Sequence, residues 1–351
     1  MPKSRRYLII SLCALFAIVL AWFFLRSTTP EVPEAIKRGY SEALNQARNG
    51  QPGAARVLYQ QLARPDISPK RRVWLHAELP NYPSSVALKL ADADLQHEAP
   101  EVRIAAIKSI SGLVSSAQRS LLLGPLLDDS DQNVRLAAVN ALLGLSPDDL
   151  GLYFGPLEQA IDAWQQWLKS APESAENHYQ MARLHLHNAE LKEAQQELDK
   201  TLQLAPDNLP ALVMQIEVLD RLGQSEAARE LLAKQLKAQP DSAYLQHALG
   251  LWLLHHGQSE FALLGLSKAV ELEPDNKDYR YDLATTLHGE QELEAAQKQL
   301  QEIVQRHPND RRARVLLINY WKESGQLQNV QILLAQLEQQ NPDDPALQQG
   351  L

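Results

Sequence analysis

Prolines recur every 34 residues through the second half of the chain. They stand at Pro172, Pro206, Pro240, Pro274, Pro308 and Pro342. Proline cannot continue a helix and disfavours helical backbone in the residue before it, so each of them is expected to end a helix. A fixed period of this length indicates repeated helical units that bury their apolar faces against neighbouring units.

Two other positions keep the same period. A small residue, which lets two helices approach closely, precedes each proline by 12 positions: Ala160, Ala194, Ala228, Ala262, Ala296 and Val330. A large apolar residue precedes each proline by 8 positions: Trp164, Leu198, Leu232, Leu266, Leu300 and Leu334. Three glycines suited to a turn between helices, Gly223, Gly257 and Gly325, share the register. The pattern predicts paired antiparallel helices.

This pattern resembles the tetratricopeptide repeat (TPR) family. The resemblance implies full repeats over 175–208, 209–242, 243–276, 277–310 and 311–344, after a leading half repeat at 155–170. The third repeat agrees best, whereas Ile216 and Ile318 replace the small residue of the first helix in the second and fifth. Members of the family hold proteins or peptides in the concave groove that their first helices line.

A different repeat stands upstream. Residues 102–107 read Val-Arg-Ile-Ala-Ala-Ile, and residues 134–139, at an offset of 32, read Val-Arg-Leu-Ala-Ala-Val. This resembles the HEAT repeat, and residues 52–78 look like a degenerate third unit. The resemblance implies that Arg103 and Arg135 bond to acids or carbonyls of a neighbouring turn.

The order of HEAT-like units followed by TPRs resembles the C-terminal half of certain periplasmic multihaem c-type cytochromes. The resemblance covers roughly 35–345, but the chain has no Cys-x-x-Cys-His motif, because its one cysteine is Cys13. The resemblance therefore implies a compartment and a type of partner, a c-type cytochrome or another envelope complex, and no electron transfer in this chain.

The N-terminal segment reads as a membrane anchor. Residues 7–25 carry no charge, and a helix of that length measures about 28 Å, close to a hydrocarbon core of about 30 Å. Lys3, Arg5 and Arg6 precede it and only Arg26 follows closely, which predicts a cytoplasmic N-terminus and periplasmic repeats. A cleaved signal peptide is the competing interpretation, but no small-x-small cleavage site follows the run.

The expected fold is all-α: an N-terminal transmembrane helix followed by an α-solenoid of HEAT-like and TPR helical hairpins. The expected division is a cytoplasmic stub and anchor at 1–26, a linker at 27–33, HEAT-like repeats at 34–150 and the TPR array at 151–351. The expected localisation is single-pass in the inner membrane.

Charge and motifs exclude several function classes. The formal net charge is −9, although residues 1–26 hold four basic and no acidic residues, so the rest is more acidic still. An acidic chain is unsuited to nonspecific nucleic-acid binding. The sequence shows no phosphate-binding glycine loop and no nucleophile motif. We therefore expect no enzyme activity, no cofactor, no metal and no small-molecule substrate.

Candidate binding residues follow from the family register of the first helices. They form a mixed polar and aromatic surface suited to a peptide. The set is Tyr179, Arg183, His187, Met214, Glu217, Arg221, Tyr244, His247, His255, Tyr281, Asp282, His288, Asn319 and Lys322. The alternative is that these side chains are only the solvated face of a solenoid.

Two smaller sets allow two interpretations each. His187, His255 and His288 occupy near-equivalent positions and could bind haem or a metal, but no ligand pair on one helix face supports that. Trp164 and Trp167 lie on one face of the leading helix and form either a buried seam or an exposed docking patch.

The sequence predicts a protein-interaction scaffold that holds a partner protein or peptide in the TPR groove. The alternative is a chaperone-like holder or biogenesis factor for exported proteins such as apocytochromes. A scaffold would bind a folded partner stoichiometrically, whereas a holder would bind unfolded chains transiently.

Overall fold

The computed structural model describes residues 34–348, and every regular element within them is a helix. Residues up to Glu42 belong to one unit and residues from Ala43 onward to another. Of the first unit, only the beginning of helix α1 (Glu34–Arg48) is described. The second unit contains everything discussed below.

The upstream part of the second unit consists of short helices. They are α2 (Ala54–Leu62), α3 (Pro69–Glu78), α4 (Ser85–Asp94), α5 (Pro100–Leu113), α6 (Ser116–Leu123), α7 (Gln132–Leu142) and α8 (Pro147–Leu150). Single turns of 3₁₀ helix occupy Leu79–Asn81, Gly124–Asp128 and Gly151–Tyr153. The two Val-Arg segments begin within helices α5 and α7, but their membership of the HEAT family stays a prediction.

The expected transmembrane helix requires a correction. Between residues 34 and 348, the structure contains no helix long and apolar enough to cross a membrane. The predicted helix at 7–25 lies outside the described residues. The supported fold class is an all-α helical-repeat solenoid without the membrane-spanning helix, and the single-pass inner-membrane localisation is not supported.

Helix α9 (Phe154–Ser170) precedes five helical hairpins. The first helices of the hairpins are α10 (Ala175–His187), α12 (Leu209–Arg221), α14 (Ala243–His255), α16 (Lys277–Gly289) and α18 (Arg311–Glu323). The second helices are α11 (Leu191–Leu204), α13 (Ser225–Ala238), α15 (Ser259–Leu272), α17 (Leu293–Arg306) and α19 (Leu327–Gln340). A last short helix, α20, spans Pro345–Gln348.

Local sequence explains where each hairpin begins. The residue two places after each phased proline is the N-cap of a first helix, and its side-chain oxygen accepts a hydrogen bond from a backbone N–H of the first turn. These caps are Ser174, Asn208, Ser242, Asn276 and Asp310. The residue before each proline leaves the helical region, as Ala171 does with φ −74° and ψ 156°. Each proline therefore ends one hairpin and starts the next.

The turn inside each hairpin requires left-handed backbone. Positive φ occurs at the same position of all five hairpins: Ala189, Gly223, Gly257, Gln291 and Gly325. Glycine adopts this conformation without steric cost, whereas Ala189 (φ 58°) and Gln291 (φ 65°) adopt it under strain. The turn geometry is thus retained where the glycine is not.

The phased small and large residues form the contact between the helices of a hairpin. The alanines at 194, 228, 262 and 296 and the leucines at 198, 232, 266 and 300 are all buried. In the third hairpin the approach is closest, because a Cβ on Gly265 would meet Gln246 O and Gly250 N at 3.0 Å. The predicted role of these positions is confirmed.

The end of the solenoid contacts its beginning. Gly53 N donates to Gln339 O at 2.7 Å, and Asn341 Nδ2 donates to Pro83 O at 2.7 Å in a buried contact. Asn309 Nδ2 donates to Glu78 Oε2 at 2.9 Å. Helices α2–α4 and the segments around them therefore pack against the last hairpin, and the second unit closes on itself.

The two predicted structural arginines behave as expected. Arg103 donates to the carbonyls of His97 and Glu98 and forms an ion pair with Asp129 at 2.7 Å. Arg135 donates to Asp129 O at 2.7 Å and Ser130 O at 3.2 Å. Both guanidinium groups tie the start of a helix to the turn before it.

Candidate functional site

The candidate site is the surface formed by the first helices of the five hairpins, which we call the A-helix face. Contacts between successive first helices show that it is continuous from α12 to α18. The clearest is a cation–π contact, with the Arg312 guanidinium 3.5 Å from the centroid of the Tyr281 ring. Arg312 occupies the position that Tyr244 holds two repeats earlier.

His247 links the third and fourth hairpins. Its Nε2 lies 2.8 Å from Asp282 Oδ2, and its ring stacks on Tyr279 with centroids 4.5 Å apart. The imidazole is thereby held on two sides, so a ligand would meet an ordered ring. Preorganised side chains lose little conformational entropy on binding.

His288 links the fourth and fifth hairpins in the same way. Its Nε2 lies 2.6 Å from Glu323 Oε2, and its ring stacks on Tyr320 at 3.9 Å with planes 7° apart. Burial raises the pKa of the Tyr320 hydroxyl to about 12, so this phenol stays a neutral hydrogen-bonding group at physiological pH.

Three further tyrosines extend the aromatic character of this face. Burial, as the main cause, raises the pKa of Tyr179, Tyr244 and Tyr279. A smaller contribution to the raised pKa of Tyr244 comes from Tyr179, which stands two hairpins away along the sequence. All three are neutral, half-buried or buried groups that can contact a peptide through ring faces and hydroxyls.

The remaining predicted residues are less ordered by their neighbours. Glu217 and Arg221 pair with each other at 3.6 Å across one helical turn. His255 is largely exposed, 4.0 Å from Asp220, and the adjacent His256 lies closer to Asp220 at 3.2 Å. Other predicted positions are exposed or half-buried: Arg183, His187, Met214, Asn319 and Lys322.

Closure of the solenoid turns the end of this face into a cavity of about 480 Å³. Tyr281, Arg312 and Asn319 form one wall, and Pro80 and Asn81 contribute to the opposite wall. Sequence reasoning predicted Tyr281 and Asn319. It missed Arg312, although the repeat register marks that position, and it could not have found the upstream wall.

Charges around this cavity differ in how far they are compensated. Lys277 pairs with buried Asp310 at 2.7 Å, and Arg311 pairs with buried Asp344 through two bonds of 2.6 and 2.7 Å. Arg312 is exposed and has no ion pair among residues 34–348. Its guanidinium, positioned by Tyr281, keeps its N–H donors available to an acceptor.

Several histidines pair with acids on a neighbouring helix. No group of three or more His, Cys, Asp or Glu side chains suited to a metal ion occurs in the described part of the chain. His187 lies 3.9 Å from Glu158 of α9. The contacts of His187, His255 and His288 are thus those of structural hydrogen bonds and ion pairs between repeats.

A Ser-His-Asp cluster lies elsewhere, under helices α3–α5. His76 Nε2 lies 2.8 Å from Asp94 Oδ2 and its Nδ1 lies 3.0 Å from Ser109 Oγ. Ser109 Oγ donates to His76 O at 2.8 Å, and Arg72 donates to both Asp94 oxygens. Ser109 sits inside helix α5 and is 1% exposed, so its hydroxyl cannot meet a substrate. The arrangement satisfies buried polar groups and joins three helices.

Family models described as tetratricopeptide repeat match residues 192–251 and 263–331. Together with the hairpins above, they show that the chain contains tetratricopeptide repeats. The uncharacterized protein y4yS of Sinorhizobium fredii (strain NBRC 101917 / NGR234) is 43% identical over 61 residues, which is 17% of this chain and 34% of that protein. The chain thus spans about a third of that relative.

Solved structures of repeat proteins are similar to part of the chain. YrrB, titled a TPR protein with an unusual peptide-binding site, is 22% identical and covers 54% of this chain and 97% of its own, with a TM-score of 0.36. TTC0263, a thermophilic TPR protein of Thermus thermophilus, is 22% identical over 58% of this chain and 98% of its own, at 0.41. A MamA structure is 17% identical over 47% and 91%, at 0.38.

Proposed function

We propose that this protein is a protein-interaction scaffold that binds an extended segment of a partner protein on the A-helix face and acts by binding, without catalysis. Tetratricopeptide repeats bind protein or peptide partners, which supports the coarse assignment. The finer assignment to this face rests on its ordered aromatic, histidine and arginine side chains.

The observation that carries the proposal is the stacking of Arg312 on Tyr281 at the edge of the 480 Å³ cavity. An arginine held against an aromatic ring, without an ion pair among residues 34–348, can donate to a carboxylate or a backbone carbonyl. Tyr281 adds apolar contact area with little loss of conformational entropy. The bound segment would run along the tyrosines and histidines and end at this cavity.

The test is in-cell photo-cross-linking in the native host. A photoreactive amino acid is placed at exposed Asn319 on the A-helix face, and separately at Leu264, which is 68% exposed on a second helix. We expect the probe at 319 to capture one or two folded proteins in near-equal amount. The double variant Tyr281→Ala/Arg312→Ala should lose that capture.

A matched control replaces another exposed aromatic side chain. Phe261 on helix α15 is 60% exposed, and Phe261→Ala should leave capture at position 319 unchanged. Equal capture from positions 319 and 264, or capture that survives the double variant, would contradict the assignment to this face.

The identity of the captured protein decides the finer question. A c-type cytochrome, the partner type that the sequence resemblance suggests, would appear as a single folded species. A broad spread of weakly held, unfolded chains would replace the scaffold by the chaperone-like holder. Both outcomes involve binding, and the ratio of captured to bait protein separates them.

A further inference from the structure

Helix α9 has the residue pattern of a second helix, but no first helix precedes it. The segment before it contains only the four-residue helix α8 and the 3₁₀ turn Gly151–Tyr153. A first helix in the full repeats is 13 residues long. The face of α9 that a first helix would cover must therefore be covered in another way.

The full repeats show what normally covers this face. Ala194, Ala228, Ala262 and Ala296, the residues 12 places before the phased prolines, are each 0% exposed because the first helix of the same hairpin lies on them. Ala160, the equivalent residue of α9, is partly exposed, and Ala163 is exposed. Helix α7 and the turn before it cover this face only in part.

The uncovered part is a groove of about 390 Å³ between α7 and α9. Leu136 and Val139 contribute from α7, and Ala160 and Ala163 contribute from α9. Trp167, also in the lining, leaves 44% of its surface exposed. The volume lies within the range of about 300–1,000 Å³ found for ligand sites, and it would admit side chains rather than a whole helix.

Trp164 gives a second sign that packing is incomplete at this seam. The residue lines the groove and is 5% exposed, yet its indole N–H has no acceptor in the described part of the chain. A buried donor without an acceptor is unfavourable and uncommon in folded proteins. The seam between the two repeat types is thus less well satisfied than the hairpins that follow.

The groove carries little net charge. Asp128 and Arg135 both line it, and the Arg135 guanidinium already donates to two backbone carbonyls. Binding there would depend on apolar contact rather than on charge, so its affinity should change little with salt.

We propose that this groove is a second binding site, for one amphipathic α-helix of a partner protein that takes the place of the missing first helix. Such a helix would lie along the opening and insert apolar side chains from one face, as first helices do in the full repeats. A small residue at its centre, like Ala182 in α10 and Ala284 in α16, would allow it to approach Ala160 closely.

The probe is a display library of 13-residue amphipathic helices with a small central residue, selected on the full-length protein. Helices that bind are measured against Ala160→Leu and Ala163→Leu, two variants that fill the groove from adjacent positions. Ala227→Leu adds the same side chain on exposed surface of helix α13 and is the matched control. Circular dichroism confirms that each variant is folded.

We expect micromolar binders that lose at least tenfold in affinity on both groove-filling variants and keep it on the control. Failure to enrich any helix, or binders that tolerate both filled grooves, would overturn the proposal. Sedimentation of the protein alone gives the other contrary outcome: self-association that Ala160→Leu abolishes would assign the groove to a second copy. Neither readout involves the A-helix face, so its proposed function is tested separately.

Discussion

Single residues reveal where this sequence departs from its own period. Three of the five hairpin turns have glycine at the left-handed position, and two have Ala189 and Gln291 instead. Nothing lies within 4 Å of a Cβ built on Gly223, Gly257 or Gly325, so backbone conformation alone determines the preference there. The departures can therefore be corrected without disturbing any contact.

Gln291→Gly is expected to stabilise the protein by about 1 kcal/mol, because a non-glycine residue in the left-handed region is strained by about 1–2 kcal/mol. Urea denaturation followed by circular dichroism measures the change. Gly257→Ala, at the same position of the preceding hairpin, should shift stability in the opposite direction. A destabilised Gln291→Gly protein would show that the side chain contributes contacts that outweigh the strain.

A buried carboxylate should give the protein an acid-sensitive stability. Burial by itself raises the pKa of Asp94, but hydrogen bonds from His76 and Arg72 outweigh it and hold the pKa below its ordinary value. A lowered pKa contributes stability that is complete above the unfolded value of about 3.9 and is lost as pH falls through the lower folded value.

Asp94→Asn should therefore flatten the fall of the melting temperature below about pH 4, besides lowering it at neutral pH by breaking a buried pair. Calorimetry at several pH values between 7 and 3 gives the comparison. Asp92→Asn, exposed on the same helix, is the control and should retain the wild-type profile. An unchanged acid limb in Asp94→Asn would mean that other carboxylates dominate it.

Helical hairpins are the elements that bear the packing, and their tightness varies along the array. In the third hairpin, glycines face each other across the two helices at positions 250 and 265. Larger side chains would hold these helices apart. Close packing of backbone against backbone is thus a local property of this hairpin, additional to the phased alanines.

Gly265→Ala is expected to destabilise the protein by about 1–3 kcal/mol, because the added Cβ meets backbone atoms that cannot move aside independently. Gly289→Ala provides the opposite case, since a Cβ there meets nothing within 4 Å and alanine favours helix. It should be neutral or stabilising by up to about 1 kcal/mol. Equal effects of the two substitutions in thermal melts would refute the close approach of helices α14 and α15.

At the scale of the second unit, closure is the main departure from an open array of repeats. Stability in an open solenoid is roughly a sum over neighbouring repeats. Here Gly53, Pro83 and Glu78 also bond to the last hairpin and the segments flanking it. The first and last helices of this unit should therefore unfold together.

Asn341→Ala tests this coupling, because it leaves the buried Pro83 carbonyl without its donor. We expect a loss of about 1–3 kcal/mol and faster hydrogen exchange of the Gly53 amide, which donates to Gln339 O. Gln239→Ala is the control, since Gln239 is exposed and holds the same position of the second repeat. Unchanged exchange at Gly53 would show that the two contacts open independently.

The sequence alone determined the helices, their ends and their pairing. Proline, the N-cap after it and the turn residue act on backbone within a few positions, so the 34-residue period could be interpreted without coordinates. The same register predicted fourteen binding residues, among them Tyr281 and Asn319, which line the cavity. Only the tertiary structure placed Pro80 and Asn81 opposite them. It also revealed that α9 lacks a covering helix. Both features depend on how distant segments pack, and no local pattern encodes a contact between residues separated by more than two hundred positions.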